Sequence, residues 1–181
     1  MENDTERIKC NVDKNVKNTY VKNQITNTLL DLLKTKELKS ITISDLTSAA
    51  QVSRVSFYRN YDEKETVLKE YLFKLIEKWY KEFQESGSTS EDELLGSLFG
   101  HFSKNKDFYL LLSQRKLLYL LKEILKELFG PKPEYPNFGA YVAAYFSYGL
   151  FGWIEEWFAR GMQETSEEMT ILLKNRDLDQ K

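Results

Sequence analysis

Residues 43–61 read ISDLTSAAQVSRVSFYRNY, two short helical patterns set back to back. Thr42 opens the first. Its hydroxyl can accept the amide of Asp45, and the Asp45 carboxylate can reach back to the Thr42 amide, a reciprocal cap. Ile43, Leu46 and Ala50 fall on one face, and Ala49-Ala50 let a neighbouring helix approach closely. Gln51-Val52 makes the turn, and Ser53 can cap the next helix. At 100° per residue, with Phe57 facing inward, Ser53 and Tyr61 lie within about 40° of it. Phe57 and Tyr61 then anchor the short helix to a core of Val52, Leu46 and Ile25. Arg54, Val55, Ser56, Tyr58 and Arg59 are left facing outward. The geometry is that of helix-turn-helix DNA reading. It is also that of an ordinary three-helix core with a solvated charged face.

Each outward group has a use on DNA. Arg54 or Arg59 can hold a guanine edge bidentately or pair with a phosphate. Val55 can meet a thymine methyl, and Ser56 and Tyr58 can donate to phosphate oxygens. Lys64, in the first turn of the following helix, is unfavourable beside that helix's positive end, and a phosphate there would relieve it. Thr42 and Ser53 complete the candidate DNA-binding set.

Working outward, Val21, Ile25, Leu29, Leu32 and Leu33 recur at spacings of three and four, predicting an amphipathic helix from Tyr20 to about Thr35. Residues 1–13 are polar and aperiodic, and are expected to form a flexible tail. Downstream, Asp62 with Glu65 starts a long helix through Leu68, Leu72, Ile76 and Trp79 to about Phe83. Ser90 with Glu93 starts another through Phe102. KDFYLLLSQ and RKLLYLLKEILKELFG are apolar helices, the second closed by Gly130 and the prolines at 131, 133 and 136. NFGAYVAAYFSYGLFGWIEEWFARG is apolar on most sides until Glu155, and Thr165 with Glu168 caps a last helix. No stretch alternates with period two, so the fold is expected to be all-α.

Composition agrees. The 181 residues are 41% hydrophobic and 30% charged, enough to bury a core. The net charge of −2 is unevenly spread. Residues 14–64 carry nine Lys and Arg against five Asp and Glu, a balance of +4. Residues 65–181 carry fifteen against nineteen, a balance of −4. A basic head on an acidic body suits a polyanionic partner. The domain boundaries expected are 1–13, 14–64 and 65–181. The single cysteine, Cys10, cannot form an internal disulfide, which suits a reducing cytoplasm. No signal-peptide pattern is seen, and no apolar run approaches the roughly 18 residues of a membrane span.

Enzymatic readings find little support. The one histidine, His101, has no cysteine or carboxylate cluster beside it, and Glu155-Glu156 diverge on a helix. No Gly-rich phosphate loop occurs, and no cofactor or metal is expected.

The stretch TISDLTSAAQVSRVSFYRNYDEKETVL, residues 42–68, closely resembles the DNA-binding segment of the tetracycline-repressor-like (TetR) family of bacterial regulators. The shared features run in order: Thr42-Ile43, Leu46, Ala50, Val52-Ser53, Phe57-Tyr58, Tyr61, Lys64 and Leu68. Gln51 departs from the pattern, since the family commonly has glycine in this turn, and it must take a less easy backbone conformation or bend the turn differently. The aromatic helix, the Arg-Gly-Met turn and the S-E-E-M helix within 141–173 resemble a C-terminal pattern in one branch of the same family. The resemblance implies an all-helical homodimeric regulator. Its N-terminal heads would bind double-stranded operator DNA as a repressor, and its bodies would dimerise and often sense a small molecule. A relative that keeps the fold but acts as an adaptor through protein contacts is the alternative.

In the body, aromatics at helical spacing fill a core, a dimer seam or a pocket. Phe102, Tyr109, Tyr119, Tyr145 and Tyr148 are the candidates for an apolar or aromatic effector. Ala144, Ser147, Trp157, Met169 and Leu172 are the candidates for the dimer interface.

Overall fold

The computed structural model describes residues 2–175, with side chains from residue 17 onward. Among the described residues it is helical throughout: α1 Glu2–Thr35, a 3-10 turn Leu38–Ser40, α2 Ile43–Ala49, α3 Arg54–Asn60, α4 Lys64–Glu85, α5 Glu91–Lys104, α6 Lys106–Gln114, α7 Tyr119–Phe129, α8 Asn137–Ala159 and α9 Ser166–Asn175. None of these helices is long and apolar enough to cross a membrane. The chain divides into two compact units, Met1–Tyr71 and Leu72–Lys181, so the division falls inside α4.

In the first unit, α1 starts well before Tyr20. Segment 1–13, set apart above as a tail, is helical from Glu2 on, while its side chains, Cys10 included, and Met1 itself lie outside the described residues. Periodicity missed this because a polar stretch carries no apolar stripe, whereas backbone hydrogen bonding needs none, and Glu, Lys and Arg are good helix formers. Ile25, Leu29 and Leu33 are fully buried, as are Ile41, Leu46, Phe57 and Leu68. One helix face of α1 and the inward faces of α2 and α3 therefore supply the core, and α1 packs on both.

The second unit packs α8 against α6 and α7, and α9 against α5. The Thr165–Glu168 cap is reciprocal: Glu168 N–H donates to Thr165 Oγ1 at 3.1 Å, and Thr165 N–H donates to Glu168 Oε2 at 2.8 Å. Helix α7 begins later than the sequence pattern, which starts at Arg115. Lys116 takes φ +59°, and Leu117 N–H returns to the Leu112 carbonyl at 2.8 Å, closing α6 before α7 can start.

His101 sits inside this unit. Its Nε2 lies 2.7 Å from the Tyr109 hydroxyl, among the rings of Trp79 and Phe102. Burial first, and the Lys104 charge second, move its pKa from 6.5 down to about 4. The folded imidazole is thus neutral where the unfolded one has begun to protonate. Between pH 6.5 and 4 the unfolded chain binds more protons, so stability falls as pH drops through that window. The loss should reach about 2–3 kcal/mol and level off near the folded pKa. Thermal unfolding from pH 7 to 4 should show this decline, and His101→Gln should flatten it. Equal slopes in both proteins would exclude His101 as the cause.

Candidate nucleic-acid interface

The caps that start the two short helices form as the residue types require. Thr42 Oγ1 accepts Asp45 N–H at 3.0 Å, and Asp45 Oδ2 accepts Thr42 N–H at 3.2 Å. These bonds hold the Asp45 carboxyl below its usual pKa, the Thr42 hydroxyl first among the causes. Helix α2 ends in a Schellman turn: Gln51 N–H bonds the Ser48 carbonyl, Val52 N–H bonds the Thr47 carbonyl, and Gln51 takes φ +54°. Gln51 therefore occupies the left-handed conformation that glycine adopts more cheaply. Ser53 then caps α3 by accepting Ser56 N–H at 3.0 Å.

Helix α3 is gripped from below and open above. Phe57 is fully buried, 5.4 Å edge-on to Tyr58 and 5.9 Å from Tyr61. Tyr61 is held in turn by a network that the sequence reading missed. Its hydroxyl bonds Thr26 and Glu70, its ring carries the Lys22 ammonium at 5.2 Å, and Lys22 pairs with Glu70 at 2.8 Å. Burial first, then the Glu70 carboxylate, pushes the Tyr61 phenol up to about 12. Each of these contacts joins residues nine or more positions apart, so none left a local signal in the sequence.

On the open side, Arg54 and Arg59 are exposed, with Val55 68% and Tyr58 58% exposed. Two large side chains thus stand in water on a helix of seven residues. Thr42 and Ser53 are exposed at their helix starts, and Ser56 is half-buried. The Ser53 and Ser56 hydroxyls lie 2.9 Å apart, so these two already bond each other.

Lys64, at the start of α4, is tied to the chain upstream. Its ammonium donates to the carbonyl of Leu38 at 2.7 Å and to that of Ile41. Backbone carbonyls at the start of the 3-10 turn and at its C-cap therefore share the charge at the start of α4. The reading from sequence missed this because the acceptors lie more than twenty residues upstream. Lys64→Ala should cost the first unit about 1–2 kcal/mol, the scale of hydrogen bonds to a charged group that is partly exposed. Hydrogen exchange at residues 38–41 should rise with it, and exchange equal to wild type would refute the clamp.

In the second unit the five effector candidates do not gather. Phe102 and Tyr109 are fully buried and pack edge to face at 4.7 Å, filling the core. Tyr119, Tyr145 and Tyr148 are exposed, and the Tyr148 ring lies under the Lys122 ammonium at 5.0 Å. Helical spacing cannot tell which side of an aromatic helix its neighbours cover. The interface candidates divide as well. Ser147, Trp157 and Met169 are buried within the protomer: Ser147 bonds the Ala144 carbonyl, and Trp157 lies edge-on to Phe99 and donates to the Glu164 carbonyl. Ala144 is half-buried and Leu172 exposed. A cleft of about 500 Å³ between α8 and α9 is lined by other residues, chiefly Gly149, Gly152, Trp153 and Arg160, with Trp157, Met169 and Leu172. Among the described residues no group of His, Cys, Asp and Glu could hold a metal ion.

Residues 90–175 match the TetR-type family profile described as a transcriptional regulator C-terminal region. A TetR transcriptional regulator from Streptococcus agalactiae 2603V shares the fold, with a TM-score of 0.62 and 22% identity over 87% of this chain and 93% of that one. The body is therefore similar to the C-terminal region of TetR-type regulators, and the chain has the fold of such a regulator. A second solved structure, the dihydroxyacetone kinase operon activator DhaS, matches with a TM-score of 0.47 and 18% identity over 88% of this chain and 95% of that one. No curated protein sequence matches the chain. The profile covers the body, α5 to α9. The N-terminal helix-turn-helix lies outside it, and its geometry rests on the capped, Phe57-anchored α2–α3 pair described above.

Proposed function

We propose that this chain is a TetR-family regulator, a homodimeric, sequence-specific DNA-binding protein that represses transcription by occupying its operator. The observation that carries the reading is the outer face of α3: Arg54, Val55, Tyr58 and Arg59 exposed together on a helix fixed by buried Phe57 and Tyr61. A donor-rich face serves base reading only when its helix cannot turn away, and both conditions hold. Arg54 and Arg59 supply the bidentate donors that suit guanine, and Val55 supplies an apolar contact for thymine. Tyr58 adds a hydroxyl for the backbone. The +4 balance of residues 14–64 favours the approach of a polyanion.

A dimer is supported by the outer face of α8, where Phe138 is 79%, Tyr141 69% and Tyr145 77% exposed. Rings that remain in water on one stripe are a partner surface. Two heads related by a two-fold axis would meet half-sites about 34–36 Å apart, or a defined step wider, on a near-palindrome.

The test is a mobility shift against fragments of the source genome at 50 and 200 mM salt. One or a few fragments should be retained roughly a thousandfold or more above the rest, and affinity should fall steeply with salt. Retardation of no fragment at the lower salt by a folded protein would replace this reading with the adaptor one.

A further inference from the structure

Tyr61 carries more chemistry than its packing needs. It is buried at the C-terminal cap of α3, and its ring lies 5.9 Å from that of Phe57. A phenylalanine would fill the same space. The hydroxyl adds a polar group in a buried place, where it costs stability unless it is bonded. It is bonded twice, by helices other than its own. An ionised carboxylate can only accept, so the phenol gives its proton to Glu70 of α4. That proton is then spent, so the Thr26 hydroxyl of α1 donates to the Tyr61 oxygen. Lys22, one turn before Thr26, closes the set. Its ammonium donates to Glu70 Oε2 at 2.8 Å and stands 5.2 Å over the Tyr61 ring. The Lys22 and Glu70 side chains are 27% and 25% exposed, so salt screens this pair less than a surface one.

Phe57 does not by itself fix how α3 lies. Apolar packing is non-directional, and a single buried ring is a pivot. Hydrogen bonds are directional. The bonds at Tyr61 therefore give α3 a second fixed point, about 6 Å along the helix from the first by the 1.5 Å rise. The orientation matters for what the outer face can do. At the roughly 6 Å radius of a helix with its side chains, a turn of about 10° shifts the outer groups by about 1 Å. Recognition geometry tolerates only about 0.5 Å.

We propose that Thr26, Tyr61, Glu70 and Lys22 are positioning residues for DNA reading: their hydroxyl brace sets the direction of α3 about Phe57 and so places Arg54 and Arg59 on the base edges. This rests on the DNA-binding reading above. None of the four need touch DNA. Thr26 and Glu70 hold the phenol from two sides, and Lys22 holds Glu70 where the phenol can reach it.

The experiment uses the whole chain and three variants. Tyr61→Phe removes the hydroxyl alone. Glu70→Leu removes both the acceptor and the Lys22 ion pair. Glu70→Gln loses the same ion pair but keeps an acceptor for the phenol. Residual dipolar couplings of the α1 and α3 amides, measured without DNA, give the direction of one helix against the other. Tyr61→Phe and Glu70→Leu should turn or tilt α3 by about 10° or more, and Glu70→Gln should keep the wild-type direction. On the genomic fragment that the wild-type protein retains most strongly, the first two variants should lose about tenfold in affinity, the scale of one misplaced base contact, and Glu70→Gln less than about threefold. Affinity for a random-sequence duplex should stay at the wild-type value in all three. A role in stability alone would group Glu70→Gln with Glu70→Leu in both measurements, and that result would overturn the proposal. A wild-type direction of α3 in Tyr61→Phe would overturn it too. If α3 moves as expected while the wild-type protein retains no fragment, the brace stands as what orients α3 and the DNA-binding reading falls.

Discussion

Phe57→Ala should unfold the first unit at growth temperature or bring it close to that point. Phe57 is fully buried and is the largest side chain of α3 that points inward. Its truncation removes the ring packed on Tyr58 and Tyr61 and leaves a cavity beneath a helix of seven residues. A helix that short has almost no stability of its own, so it cannot collapse into the gap and remain helical. The expected cost is about 3–5 kcal/mol. Small domains hold only about 5–15 kcal/mol in total, so most of the margin disappears. Thermal unfolding should show the transition of this unit lowered by more than about 12 °C. Amides of residues 54–60 should lose their exchange protection. Phe57→Leu, which refills most of the volume, should recover more than half of the loss. A midpoint within 2 °C of wild type in Phe57→Ala would mean that α3 is held by something other than this ring.

Replacing both Arg54 and Arg59 with alanine should abolish specific DNA binding and leave the fold intact. Both side chains are exposed, and neither contributes to the core. If each holds one base edge, each loss costs about 1–3 kcal/mol, and the pair about 2–6 kcal/mol. Preference should relax at one position per half-site for each single variant. Residual affinity should be the salt-dependent, sequence-independent part. The thermal midpoint separates this outcome from Phe57→Ala, where binding is lost because the helix is lost. Unchanged operator affinity in the double variant would move DNA recognition off α3, and the adaptor reading would then gain ground.

Much of the head could be read from local sequence. Capping boxes, a turn and a 3.6-residue period operate over three to eight residues, and so they appear in a linear string. The Thr42–Asp45 cap, the Ser53 cap, the inward Phe57 and the strained Gln51 belong to this class, and each is found where local chemistry requires it. The same logic located α6 and α8.

What the sequence alone determined, then, is the all-helical order, the caps at Thr42, Ser53, Ser90 and Thr165, and the outward face of α3. The tertiary structure decided which groups those helices bring together. Lys64 meets carbonyls more than twenty positions upstream, and Lys22, Thr26, Tyr61 and Glu70 converge from three segments. The tyrosines of the body are alike in the string. Yet Tyr109 is sealed against Phe102, while Tyr145 stands in water. Periodicity records that a helix has an apolar side, but α8 is apolar nearly all round. Only the packing of α6 and α7 against it determines which of its rings become core and which remain exposed.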